Sequence, residues 1–285
     1  MKYLRAALRL AVGLAALPLF VTLVTAQAFI VGPLFKNQHT IPGLLYNGLR
    51  RLFGLNVVFN KASAPIEKNK RTWFVANHMS MVDFITLGSV IDGTFAGKGD
   101  ILKWPIAAQM ARAVKYIGLR RSTEYNAQSR GKILANFNAG LNTIMFPEGT
   151  TNDGKKVYLF RAALLTALYG ASGANKEGND IMLKQDVVVQ PVAIRIAEVS
   201  GEDAIGNDAL RNLYSMPHEH NTLVRIWKRL MIQEIKVELT AFPPLAPADY
   251  SDAKALINKA ATDIASVVNP GQTEFEKANI PVKKA

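Results

Sequence analysis

The chain has 285 residues, 49% of them hydrophobic and 20% charged, which supports a folded core and excludes a disordered or collagen-like chain. With 34 Lys and Arg against 22 Asp and Glu, the net charge is +12, suited to phosphorylated substrates, nucleic acid or an anionic membrane face. Cysteine is absent, which rules out disulfides, thiolate metal sites and a cysteinyl acyl intermediate.

At the amino terminus, Lys2, Arg5 and Arg9 precede residues 10–35, which carry no charge. At about 1.5 Å per residue, such a helix exceeds a hydrocarbon core of roughly 30 Å. A membrane anchor, a signal peptide cleaved after Val24-Thr25-Ala26 and a buried core helix compete here. The apolar run continues past Ala26 to Val31, which favours the anchor. Pro18 predicts a kink, and Gly32-Pro33 closes the run. Residues 41–53 then mix Leu44, Leu45, Leu49 and Leu52 with Arg50 and Arg51, the pattern of an amphipathic helix at a lipid interface. Residues 1–53 therefore read as a membrane-associated helical hairpin that dips into one leaflet. Basic residues flank it on both sides, so charge does not set its orientation.

Downstream, β-branched and aromatic runs predict strands over 55–60, 72–76, 94–97, 116–119, 143–146, 187–194 and 236–242. Helical patterns occupy 82–91, 105–114, 125–138 and 161–169, and the Gly- and Asn-rich 171–180 reads as a loop. The fold class is α/β: a mixed, largely parallel sheet flanked by helices, with its main domain at 54–250. Pro243-Pro244 ends that core, and Ser251 is placed to cap a helix running to 268 within a C-terminal unit, 251–285.

Three clusters carry chemistry. Asn77-His78-Met79-Ser80-Met81-Val82-Asp83 follows a strand, where α/β folds hold reactive groups. If His78 precedes the next helix, Asp83 can accept its Nδ1 proton and leave Nε2 as a base. Ser80-x-x-Asp83 equally fits a helix-capping pattern, and the two readings stand level. Phe146-Pro147-Glu148-Gly149-Thr150 ends another strand, with Glu148 and Thr150 expected in an exposed loop and Gly149 permitting a tight turn. The stretch from Lys98 to Lys132 is basic and contains Arg120 and Arg121, donors matched to phosphate.

Other signals are weaker. His218-Glu219-His220 lacks a strand pattern that would align it for a metal, so no metal site is expected. Gly97-Lys98-Gly99 lacks the third glycine of a dinucleotide fingerprint. Gly170-Ala171-Ser172-Gly173-Ala174 fails the serine nucleophile pattern at its last position. The basic residues are not interleaved with stacking aromatics, so nucleic acid is not an expected partner.

Taken in order, the Asn-His-x4-Asp motif, Arg121, Phe-Pro-Glu-Gly-Thr and Val188-Val189-Gln190-Pro191-Val192 resemble the glycerolipid acyltransferase family over residues 55–245, in particular bacterial 1-acyl-sn-glycerol-3-phosphate acyltransferases. That resemblance implies His78 as general base oriented by Asp83. It implies Arg121, or the adjacent Arg120, as the acceptor's phosphate ligand, with Lys98 approaching the same phosphate. Glu148 and Gly149 are implied in acceptor binding and Pro191 in a structural role, and the Thr150 hydroxyl in the same loop is a further candidate for binding substrate. Lys115 and Gly118 replace the glycine and phenylalanine usual in the second motif, and Thr151-Asn152 replaces the serine or arginine usual after the third.

The implied reaction passes an acyl chain from acyl-CoA or acyl carrier protein, as substrate, to 1-acyl-sn-glycerol 3-phosphate, giving phosphatidic acid, with no resident cofactor. A lyso-ornithine lipid or glycerol 3-phosphate is the alternative acceptor, and a non-catalytic lipid-binding protein the alternative class. The expected partners are membrane lipids, the lysophospholipid acceptor and the acyl donor. The expected place is the cytoplasmic face of a bacterial inner membrane.

Overall fold

The computed structural model describes residues 1–35, 40–69, 71–99, 102, 105–119, 126–174, 178–217 and 221–278. Helix α1 (Lys2–Ala26) passes through Pro18 without a break, and the irregularity falls instead at a π-turn, Gln27–Val31, leading into α2 (Gly32–Phe35). Helix α3 (Thr40–Leu52) runs back along it. Leu52 lies against Gly13, while Leu45 and Ile41 pack with Val24 and Phe20, so the pair forms an antiparallel hairpin. Its outward side chains, among them Leu4, Leu8, Val12, Leu14 and Leu19, are exposed. The helical segment Lys2–Val31 is long and apolar enough to cross a membrane.

The described strands and helices alternate as the sequence predicts. They run β1 (Leu55–Phe59), β2 (Arg71–Ala76), α4 (Asp83–Gly88), β3 (Thr94–Lys98), α5 (Pro105–Ala113), β4 (Ile117–Leu119), α6 (Asn126–Asn138) and β5 (Thr143–Met145). Two-residue strands β6 (Gly173–Ala174) and β7 (Asp180–Ile181) pair across the segment expected to be a plain loop. Then come β8 (Val187–Val199), β9 (Glu202–Asp203), α7 (Asp208–Ser215), α8 (Thr222–Met231), β10 (Ile235–Ala241) and α9 (Ala253–Val268). The main sheet has the order β1-β10-β8-β2-β5-β3-β4, with β9 folded onto β8. The strands from β8 to β4 run parallel, and β10 with its parallel partner β1 runs against them.

Alternation along β2 separates two cores. Phe74 and Ala76 join Leu87, Phe95, Ile194 and Tyr214 on one face, and Trp73 and Val75 join Ile133, Phe137, Val189 and α9 on the other. Burial on both faces is why these strands read as continuous apolar runs.

Three local expectations need correction. Helix 161–169 is only a 3-10 turn, Leu165–Tyr169, ended by Gly170 in the left-handed region at φ 84°. The α9 cap is Asp252, whose carboxylate accepts the Ala255 N–H at 2.7 Å, and not Ser251. The core does not end at Pro243-Pro244, because Leu256, Ile257, Ala260 and Ile264 of α9 are fully buried against the sheet.

Candidate active site

Strands β2, β5, β3 and β4 end on one edge of the sheet, so residues 77–83, residues 146–152 and Lys98 gather there. Asn77 fixes the exit from β2. Its buried amide accepts the Ile194 N–H at 2.8 Å and donates to the Ile194 carbonyl at 3.0 Å, extending the ladder by a side chain.

His78 Nδ1 lies 2.8 Å from Asp83 Oδ2. Residues five apart within one helix point away from each other, and these two meet because α4 begins only at Asp83. The intervening turn folds back, and the Met79 and Ser80 N–H groups donate to the same Oδ2 at 2.7 and 2.8 Å. The capping and catalytic readings are therefore one arrangement. The carboxylate that closes the turn also accepts the imidazole Nδ1–H, which leaves the ring's lone pair on Nε2. Asp83 is fully buried, while the His78 side chain keeps 12% of its surface open.

Aromatic rings set the plane of the imidazole. It stacks on Phe146 at 4.1 Å and 11°, and meets Phe84 edge-on at 5.7 Å and 88°. Phe84 continues to Phe95 at 4.9 Å and Tyr116 at 6.4 Å. The Tyr116 hydroxyl donates to the Lys98 carbonyl at 3.1 Å. An aromatic floor thus runs from His78 to the exposed end of β3.

The expectation for Glu148 is overturned. It does not stand in an exposed loop but is 1% exposed, with both oxygens occupied. Oε1 accepts the His78 N–H at 3.0 Å, and Oε2 accepts the Asn152 side-chain amide and the Tyr158 N–H. Burial pushes its carboxyl up to about 8, against the pull of these donors. The Asn152 N–H donates to the His78 carbonyl at 2.9 Å, so the loop grips both polar groups of the His78 peptide backbone. Glu148 is a brace for the histidine, not a group open to an acceptor.

Gly149 turns at φ 73°, with the Arg161 guanidinium lying over it: a Cβ there would stand 3.4 Å from Nε. Arg161 is exposed and was not singled out from the sequence; only folding brings it to this turn. Thr150 is half-buried, its hydroxyl 3.5 Å from the Thr151 carbonyl. Arg120 and Arg121 lie outside the described residues, as do His218, Glu219 and His220.

The Met79 and Ser80 amides, next in the chain after His78, are both taken up by Asp83. Sequence reading also missed the group on the other Asp83 oxygen: the Tyr214 hydroxyl donates to Oδ1 at 2.5 Å. Its helix, α7, went unread, although the Asn207 cap, whose side chain accepts the Leu210 N–H, was a legible signal. The distance of 131 residues between Asp83 and Tyr214 was not.

Residues 58–195 match the Acyltransferase family model. The chain is 28% identical over 220 residues to the lyso-ornithine lipid O-acyltransferase of Brucella abortus (strain 2308), covering 77% of this chain and 78% of that protein. It is 26% identical over 97 residues to the 1-acyl-sn-glycerol-3-phosphate acyltransferase of Neisseria gonorrhoeae, covering 34% and 38% respectively. The crystal structure of the 1-acyl-sn-glycerophosphate acyltransferase PlsC from Thermotoga maritima superposes with a TM-score of 0.59, covering 97% of this chain and 100% of that one at 18% identity. That likeness shares the mixed α/β fold.

Proposed function

This chain carries an acyltransferase-family domain, and on that premise we propose that it moves an acyl group from a thioester to the free hydroxyl of a membrane lyso-lipid. The observation that carries the reading is the 2.8 Å contact between His78 Nδ1 and a fully buried Asp83 carboxylate. His78 Nε2 removes the proton of the acceptor hydroxyl as its oxygen attacks the thioester carbonyl. The tetrahedral intermediate expels the thiolate, and His78 gives the proton to the departing sulfur. General base catalysis of this kind is worth about 10²–10⁴-fold. The acyl group goes straight from sulfur to oxygen, so no acyl-enzyme forms.

Our reading of the acceptor is a lyso-ornithine lipid, supported by the longer similarity to a relative so named. The second reading is 1-acyl-sn-glycerol 3-phosphate, favoured by the shorter Neisseria similarity and the basic stretch after Lys98. Lys98 at the end of β3 and Arg161 over the Gly149 turn are exposed cations beside these motifs that would meet either headgroup. We place the hairpin in one leaflet, on the cytoplasmic face of a bacterial inner membrane where acyl-CoA or acyl carrier protein is at hand.

Purified full-length protein in lipid vesicles, offered both lyso-lipids and glycerol 3-phosphate against both thioesters, tests the acceptor. Preferred acylation of the lyso-ornithine lipid is expected. Preferred acylation of 1-acyl-sn-glycerol 3-phosphate would replace it with the second reading. No transfer to any of the three would refute both.

A further inference from the structure

Behind the His78–Asp83 pair lies a second buried charge. Arg229 of α8 is buried, and among the described residues none of its three guanidinium nitrogens meets a hydrogen-bond acceptor. A buried cation without acceptors is costly unless an anion or a π face lies close. Arg229 has both. Its guanidinium carbon sits 5.2 Å from the centre of the Tyr214 ring, within cation–π range. The hydroxyl of the same ring donates to Asp83 Oδ1 at 2.5 Å and lies 3.3 Å from the Thr86 hydroxyl. Asp83 is thus held at Oδ2 by His78, Met79 and Ser80, and at Oδ1 by Tyr214.

We propose that Tyr214 and Arg229 are positioning residues of the acyl transfer: Tyr214 fixes the rotation of the Asp83 carboxylate, and Arg229 is its buried counter-charge, acting across the tyrosine ring. The proposal rests on the acyltransferase reading for its purpose but not for its geometry. Burial lowers the Arg229 guanidinium only to about 10, so it remains a cation at neutral pH. Burial and the Asp83 charge hold the Tyr214 phenol well above its ordinary value, so it remains a donor. The other charged or titratable groups acting on this cluster are Glu148, which feels Asp83, and Arg9 of α1, which feels Arg229. Among the described residues, the Asp83 carboxylate is hydrogen-bonded by His78, Met79, Ser80 and Tyr214, and by neither of these two. A carboxylate steered at one oxygen only would be freer to turn away from the imidazole. A carboxylate without a counter-charge would hold the imidazole proton more tightly and blunt Nε2 as a proton donor and acceptor near neutral pH.

The test compares Tyr214→Phe, Arg229→Met and Arg229→Lys with the wild type, as full-length protein in detergent micelles. The imidazole titration of His78 is followed by NMR, its signal assigned by its loss in His78→Gln. No acyl substrate is needed for this readout. Tyr214→Phe keeps the ring and removes one bond, so it keeps the proposal falsifiable if an Arg229 variant fails to fold.

The expected result is a His78 titration midpoint shifted upward by about half a pH unit or more in Tyr214→Phe and Arg229→Met, with Arg229→Lys returning toward wild type. The acid limb of the kcat/KM profile moves with it, and kcat falls about tenfold while KM for both substrates stays within about twofold. Titrations that overlay the wild type in both Tyr214→Phe and Arg229→Met would overturn the proposal, as would Arg229→Lys behaving like Arg229→Met. A shift in a protein that transfers no acyl group would refute the functional reading and leave the positioning intact. Acyl transfer with no shift would do the reverse.

Discussion

The backbone N–H of His78 ends on Oε1 of Glu148, 3.0 Å away and 70 residues further along the chain. Two motifs that look independent in sequence are therefore one device, in which the second holds the backbone of the first. Glu148→Ala removes the acceptor for the His78, Asn152 and Tyr158 donors at once. Each stranded donor costs about 1–3 kcal/mol. We expect a clear fall in the unfolding midpoint and at least about tenfold lower kcat, measured by thermal melting and by acyl-transfer assay.

The same carboxyl gives a pH signature. Its value near 8 in the folded chain lies above the ordinary carboxylate range, so the folded state holds a proton that the unfolded state has released. Stability from this group is complete below about pH 4.5 and declines as pH rises towards about 8. Glu148→Gln keeps an acceptor oxygen but cannot ionise. Melting temperatures across this range should fall less steeply with pH in that variant, and parallel curves would show that Glu148 does not titrate in the window.

Asn77 offers a test of the strand exit. Asn77→Ala strands the Ile194 N–H and carbonyl in a buried position. Denaturant unfolding should show a loss of about 2–4 kcal/mol. Asn77→Asp keeps the acceptor but loses the donor and adds a buried charge, so it should not rescue.

Glycine positions separate backbone strain from crowding. Gly154 and Gly140 have similar angles, φ 73° and 81°. A Cβ at Gly154 would lie 2.4 Å from Met79 Sδ, beside His78, whereas a Cβ at Gly140 meets nothing within 4 Å. Gly140→Ala should cost about 1 kcal/mol of stability and leave activity alone. Gly154→Ala should cost more and lower kcat, because Met79 must move. Equal effects on activity would contradict the Met79 contact.

The hairpin is tied to the end of α8 by arginine hydrogen bonds to backbone carbonyls. The Arg9 guanidinium donates to the Leu230, Ile232 and Gln233 carbonyls, and Arg5 donates to the Met231 carbonyl, at the end of α8. Replacing both by Met should lower the melting temperature while flotation with anionic vesicles persists, since the exposed apolar face of α1 is unchanged. Loss of flotation with an intact melting curve would mean that these arginines serve the lipid and not α8.

Much of the sheet was legible because β2, β5 and β8 are buried on both faces and must be apolar throughout. The His78–Asp83 pair was legible because both partners lie in one turn. The partners that set its geometry were not. Glu148, Tyr214 and Arg229 reach it across 70 residues or more, and no local spacing encodes such a meeting. Helices α7 and α8 went unread although Asn207 and Asn221 mark their starts with side-chain caps. Glu148 was misjudged for a physical reason: a charged residue in a Pro-Gly turn is ordinarily solvated, and here three donors draw it inward.

Steady-state acyl transfer by His78→Ala, with wild-type and Asp83→Asn proteins alongside, bears most directly on the central claim. The predicted result is a loss of about 10²–10⁴-fold in kcat for His78→Ala, a large loss for Asp83→Asn, and no acylated protein by mass spectrometry in any of them. Undiminished transfer by His78→Ala, or an acyl group covalently held by the wild-type chain, would contradict it.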